Sequence, residues 1–165
     1  MIRAKLYNKT VMTLLCAYEQ GELRLSECPT CAVGTLCGGR SIWAFLFMTC
    51  DGTQLVHNMP SIPFAELRPY KSLDGIGFET ERLRGDATEL VKSTGYTIDE
   101  LARIEFAFEE DAPDLFDIDI VEYKEALKHG LGRVLKVLKG IHKVSDDEHA
   151  KLITTLNGIY SPVEP

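Results

Sequence analysis

Apolar residues recur along most of this chain at helical intervals. Val11, Leu14, Leu15 and Tyr18 step by three and four, Asn8 or Thr10 can cap the start, and Gly21 suits the stop. A first helix is therefore predicted from about residue 8 or 10 to Gln20. Glu22 to Glu27 reads as a polar loop. A short helix then opens near Cys28, with Pro29 at a first helical position where its missing N–H costs nothing, and Gly38-Gly39 ends it. The aromatic-rich run Ile42–Thr49 is followed by Asp51-Gly52 and by Thr53–His57. Asp-Gly between two apolar runs predicts a β-hairpin. A buried third helix over 42–49 is the competing reading, because periodicity alone does not separate the two. Trp43, Phe45 and Phe47 are assigned to the core either way, since large aromatics gain most from burial.

Pro60, Pro63, Pro69, Gly75, Gly77 and Gly85 punctuate the next stretch, which reads as an extended connection with one short helix near Phe64–Arg68. Long irregular segments of this kind often carry function. Helices return at about Ala87–Ser93, closed by Gly95. Thr97-Ile98-Asp99-Glu100 is a capping box for a helix reaching about Glu110, with Leu101, Ile104 and Phe108 on one face. Asp119 can cap the longest helix, about 120–143, whose seam is Leu127, Leu131, Val134, Leu138 and Ile141. Ser145-Asp146-Asp147-Glu148 opens a last helix ending at Asn157-Gly158. The fold class is mainly α (α+β): a compact helical domain of about five helices with a small β-hairpin near residues 42–57, and a single domain over 1–165.

Composition narrows the function classes. At 45% hydrophobic and 26% charged the chain is ordinary for a globular protein. A net charge of -7 lacks the basic footprint that duplex nucleic acid requires. No apolar run approaches the roughly 18 residues of a membrane span. Residues 1–9 are charged but precede no apolar stretch or cleavage site, so a cytoplasmic address with reduced cysteines is expected. Charge is also uneven. Asp99–Glu122 holds ten acids against Arg103, whereas Lys124–Lys143 holds six bases against Glu125. Neighbouring faces can neutralise one another. Alternatively Lys124, Lys128, Arg133, Lys136 and Lys139 form a basic face for an acidic host partner, or for the acidic stretch of a second copy in a homo-oligomer.

Three cysteines, Cys28, Cys31 and Cys37, fall within ten residues. Cys28 and Cys31 have the spacing of a zinc knuckle and Cys37 offers a third ligand, but no second paired motif supplies the fourth. A cysteine in the first turn of a helix feels the positive end of the dipole, so Cys31 is also a nucleophile candidate, with His57 as its base and Asp51 or Asn58 to orient it. The third reading is that Cys31, Ala32, Gly34 and Cys37 are small residues that let a short helix pack closely. Glu105 lies between Ile98 and Phe108 on the helical wheel, which makes it either an acid–base candidate or an edge residue paired with a base. The acids Asp111–Asp119 lack the glycine and terminal glutamate of a calcium loop. His129, His142 and His149 read as surface histidines. Gly130 and Gly132, inside a good helix, indicate a close helix crossing, a kink, or a ligand near the backbone.

Three segments in order, Cys31–Leu36 followed by Trp43, Gly95–Glu109, and Gly130–His142, resemble a set of small uncharacterised proteins of bacteria and their phages. The resemblance implies a compact helical fold and a phage or mobile-element origin, and it carries no catalytic residue over. The expectation is a small soluble non-enzymatic interaction or accessory protein, without a cofactor, binding a host protein or a small ligand. A cysteine-dependent enzyme using Cys31 with His57, and a small zinc-binding protein, are the alternatives.

Overall fold

Local capping signals set most helix starts. In the computed structural model, which describes residues 2–27, 29–40, 42–43, 47–48, 68–69, 78–113 and 118–155, six helices are present among the described residues: α1 (Ile2–Glu19), α2 (Ala32–Leu36), α3 (Phe78–Thr94), α4 (Ile98–Glu109), α5 (Ile120–His142) and α6 (Asp146–Thr155). The mainly α class holds. Thr97 Oγ1 accepts from the Glu100 N–H at 3.1 Å, and Glu100 Oε2 accepts from the Thr97 N–H at 2.9 Å, completing the expected box. Asp119 Oδ1 accepts from the N–H groups of Val121 and Glu122 at 2.8 and 2.9 Å. Ser145 and Glu148 make the second box ahead of α6.

Three expected helix boundaries shift, and one expected loop differs in character. Helix α1 begins at Ile2, well before residue 8, because Tyr7 lies one turn before Val11 and extends the same buried stripe. Helix α2 starts after Cys31, with Pro29 left in the preceding turn; there Thr30 and Cys31 donate to the Glu27 carbonyl at 2.9 and 2.7 Å. Helix α3 begins at Phe78 and runs through Gly85, so that glycine does not punctuate. The flanking Glu, Arg and Leu residues are strong helix formers that carry one unfavourable position. The 22–27 segment is not a purely polar loop, since Leu23 and Leu25 are buried while Arg24 between them is exposed, an alternation of period two.

A two-residue antiparallel ladder joins β1 (Phe47–Met48) to β2 (Arg68–Pro69), with Phe47 opposite Pro69 and Met48 opposite Arg68. The Asp51-Gly52 turn and the return strand expected at 53–57 lie outside the described residues. So do Phe45, the Asn157-Gly158 stop, and the 64–68 helix apart from Arg68.

Helix α4 lies along α5, α1 packs on α5 and α2, and α2 rests on α4. The shared core contains Leu14, Leu15, Trp43, Leu101, Ile104, Phe108, Leu131 and Leu138. The α4–α5 approach depends on Gly130, where a Cβ would stand 2.6 Å from the Phe108 carbonyl oxygen. A close crossing accounts for that glycine. Gly140, on the same helix, has nothing within 4 Å of an added Cβ.

Candidate functional site

A cleft of about 890 Å³ opens between α1 and the 22–39 segment. Helix α1 contributes Met12, Cys16 and Ala17 as an apolar floor, and Lys9, Thr13 and Gln20 as a polar edge. The facing wall is Glu22, Pro29, Thr30, Thr35 and the Gly38-Gly39 pair. Its shape is set locally. Gly21, at φ 71, turns the chain after α1 so that the Glu22 N–H bonds to the Ala17 carbonyl at 2.9 Å. Gly38 and Gly39, at φ 72 and 77, close α2, with the Gly39 N–H on the Gly34 carbonyl at 2.9 Å. Met12 stands 48% exposed, an apolar side chain that the rest of the described fold leaves uncovered.

The same 22–39 segment is bonded to two buried acids of α4. Glu105 and Glu109 are one turn apart on α4 and are 6% and 4% exposed. Glu105 Oε2 accepts the Val33 N–H at 3.2 Å and also receives the Cys31 thiol. The Ser26 N–H donates to both oxygens of Glu109, at 2.9 and 3.0 Å, and the Ser26 hydroxyl reaches Oε2 at 3.4 Å. Burial pushes the Glu105 carboxyl up to about 7, against the pull of the Cys31 and Val33 donors. Glu109 rises to about 8, through burial first and the neighbouring Glu105 second; the Ser26 donors and the Arg133 charge oppose the shift. Beside this corner Tyr123 accepts the Leu25 N–H at 3.2 Å, and burial raises its phenol.

A second polar cluster joins α1, α5, α6 and the residue before the α4 cap. Tyr96 donates to Thr10 Oγ1 at 2.8 Å, and its oxygen meets His142 Nε2 at 2.8 Å. The Tyr7 hydroxyl bonds to His149 Nδ1, and the Tyr7 ring lies 5.5 Å from that of His142. His142 Nδ1 is buried without a hydrogen-bond partner. Burial pushes both tyrosines up to about 12 and lowers both histidines. The Arg3 backbone and the Glu100 carboxylate pull His142 the other way, and Asp146 does the same for His149.

The residues singled out in the sequence are dispersed. Cys31 is 1% exposed, and its sulfur caps α2 by accepting the Gly34 N–H at 3.2 Å. Cys37 is buried, while Cys28 and His57 lie outside the described residues. Among the described residues no three His, Cys, Asp or Glu side chains gather to hold a metal ion. Arg133 does not join an open basic face. Its Nε donates to the Ala107 carbonyl at 2.8 Å and its Nη2 to the Glu110 carbonyl, so it caps the end of α4. Lys139 pairs with Asp146, Lys124 and Lys136 are exposed, and Lys128 is half-buried. Glu105 is inside, as the wheel suggests, but its partners are backbone and thiol donors rather than a base. Glu109 was hidden in the acidic run, although its place one turn after Glu105 and beside Phe108 was a usable signal. His142 and His149 are half-buried members of a cluster rather than open surface residues. No helix among the described residues is long and apolar enough to cross a membrane.

No protein-family model, curated protein or solved structure matches the chain. Function is therefore read from its own residues.

Proposed function

We propose that this protein is a non-enzymatic binding module, a cytoplasmic accessory protein that takes a small amphipathic ligand into the cleft between α1 and the 22–39 segment. The observation that carries this reading is how its groups are divided. Among the described residues, Glu105, Glu109 and the Cys31 thiol are turned inward and bonded to backbone donors or to one another, and no histidine lines the cleft beside the half-exposed Cys16 thiol. The cleft instead offers a concave apolar floor with a polar edge, at a volume within the roughly 300–1,000 Å³ usual for small-molecule sites. Such an arrangement favours holding a molecule over transforming it.

The test is a screen of amphipathic fragments by amide NMR on the full chain, paired with alkylation of Cys16 on the cleft floor. Binding should shift the amides of Thr13, Cys16, Thr30 and Gly39 saturably and slow Cys16 labelling, while Cys31 stays unlabelled until the chain unfolds. Met12→Glu should abolish those shifts without unfolding the protein, because Met12 is exposed. Fragment shifts confined to Lys124, Lys128 and Lys136 would move recognition to the basic residues of α5. Rapid native labelling of Cys31 would instead favour a cysteine enzyme.

A further inference from the structure

One wall of the cleft hangs on α4 through two carboxyl groups. The wall segment contributes the Ser26 and Val33 N–H groups and the Cys31 thiol, and α4 contributes the acceptors, Glu109 and Glu105. Ser26 takes φ 58, the left-handed region that a non-glycine residue adopts at a cost, in the conformation that delivers its N–H to both oxygens of Glu109. Helix α5 supplies Arg133 and Tyr123 at the same corner. The guanidinium is already committed to two carbonyls at the end of α4, and among the described residues it pairs with Glu110, at 3.9 Å. The phenol oxygen of Tyr123 is taken by Leu25. From the wall itself Arg24 and Glu27 face one another at the surface. Two acids one helical turn apart and away from water, with Arg133 acting on Glu109 alone, do not both ionise in place. The wall is bonded to both of them, through Ser26 at Glu109 and through Cys31 and Val33 at Glu105.

We propose that Glu105 and Glu109 form a proton-operated latch on the cleft: with a proton on the pair the 22–39 wall is held against α4, and losing that proton loosens the wall. As a control on ligand entry this rests on the reading of the cleft as a binding site; as a property of the wall it is measurable without any ligand. The backbone donors favour ionised carboxylates, but burial outweighs them at both positions and places the change in the neutral range. Ionised, the pair gains most by reaching water.

The experiment is native-state hydrogen exchange on the ligand-free full chain, following the amides of Ser26, Val33 and Gly34 against Leu138 in the core of α5. From about pH 6 to about pH 8.5, protection of the three wall amides should fall about tenfold while staying below that of Leu138, which reports global unfolding and falls with the same acids. Glu105→Gln combined with Glu109→Gln, which keeps an acceptor at each position and cannot ionise, should remove that fall. A wall whose protection stays level over this range, equals that of Leu138 in magnitude, or falls equally in the double variant, overturns the proposal. Carboxyl carbon titration of the unaltered protein gives a second reading that needs no variant. At least one of the two groups should titrate above about pH 6, and midpoints for both near the ordinary 4.5 overturn the latch. A fragment screen that finds an empty cleft leaves these results standing, and a flat exchange profile leaves the screen standing, so the two readings fail separately.

Discussion

Toward the C-terminal end of α4 two buried acids bond to Ser26 and Val33, and beside its N-terminal cap two buried tyrosines and two half-buried histidines meet among α1, α5 and α6. Burial penalises the charged form at both places, so the same force acts with opposite sign on pH. The acids hold their protons too long and the histidines release theirs too early. The partners differ as well. Backbone N–H groups serve the acids and so tie a segment of chain to α4. Side-chain hydroxyls and ring nitrogens serve the histidines and so join helices to one another. The first corner can move a loop next to a cleft; the second can only tighten or slacken helix packing.

The largest effect should come from the acids. Between about pH 4.5 and about pH 8 the folded state binds more protons than the unfolded chain, so their contribution to stability is fully present below the lower value and lost as pH rises through the upper one. Chemical denaturation should show at least about 3 kcal/mol lost between pH 5 and pH 8.5, and Glu105→Gln with Glu109→Gln should flatten that limb. An unaltered protein whose stability is level over this range would break the comparison.

Gly130→Ala comes next, at about 2 kcal/mol of destabilisation, because its methyl meets the Phe108 carbonyl, which is backbone and cannot swing aside. Phe108 precedes Glu109, so the substitution should disturb the Ser26 amide in NMR spectra and leave the ring signals of Tyr96 and His142 in place. Disturbance of the aromatic cluster instead would show that the two corners are not separable.

The histidine corner should give the acid limb of the profile. Its histidines have lowered folded values, so their contribution is present above about pH 6.5 and lost as pH falls below it. The groups are partly open to solvent, which limits the effect to under about 1 kcal/mol. His149→Gln should shrink the limb, and a denaturation series at pH 5 and pH 7 checks it.

The smallest effects are stabilising. Gly85→Ala and Gly140→Ala add a methyl in open space within a helix and should each raise stability by roughly 0.5–1 kcal/mol, read as a higher denaturation midpoint with neither pH limb altered.

Much of the helical framework was legible along the chain. The two capping boxes, the Asp119 cap and the α5 seam are signals contained within a few residues, and hydrogen bonds that close over three or four positions need nothing distant to form. The inward place of Glu105 was readable for the same reason, from its angle on one helix. What it touches was not. Cys31 becomes a cap and a donor to Glu105, and Ser26 a double donor to Glu109, only once the 22–36 segment is laid across α4, which joins residues 72 to 83 positions apart. Arg133 likewise changed from a member of a basic face to the cap of another helix because α4 ends beneath it. Two glycines of α5 make the point within one residue type. Gly130 and Gly140 both lie inside the helix, yet of the two only Gly130 faces a neighbouring backbone. Sequence determined where α4, α5 and α6 begin and which stripe of α4 and α5 is apolar, because those depend on contacts one turn away. Tertiary structure decided which polar groups are shut from water and what they meet there, because burial belongs to the assembled surfaces.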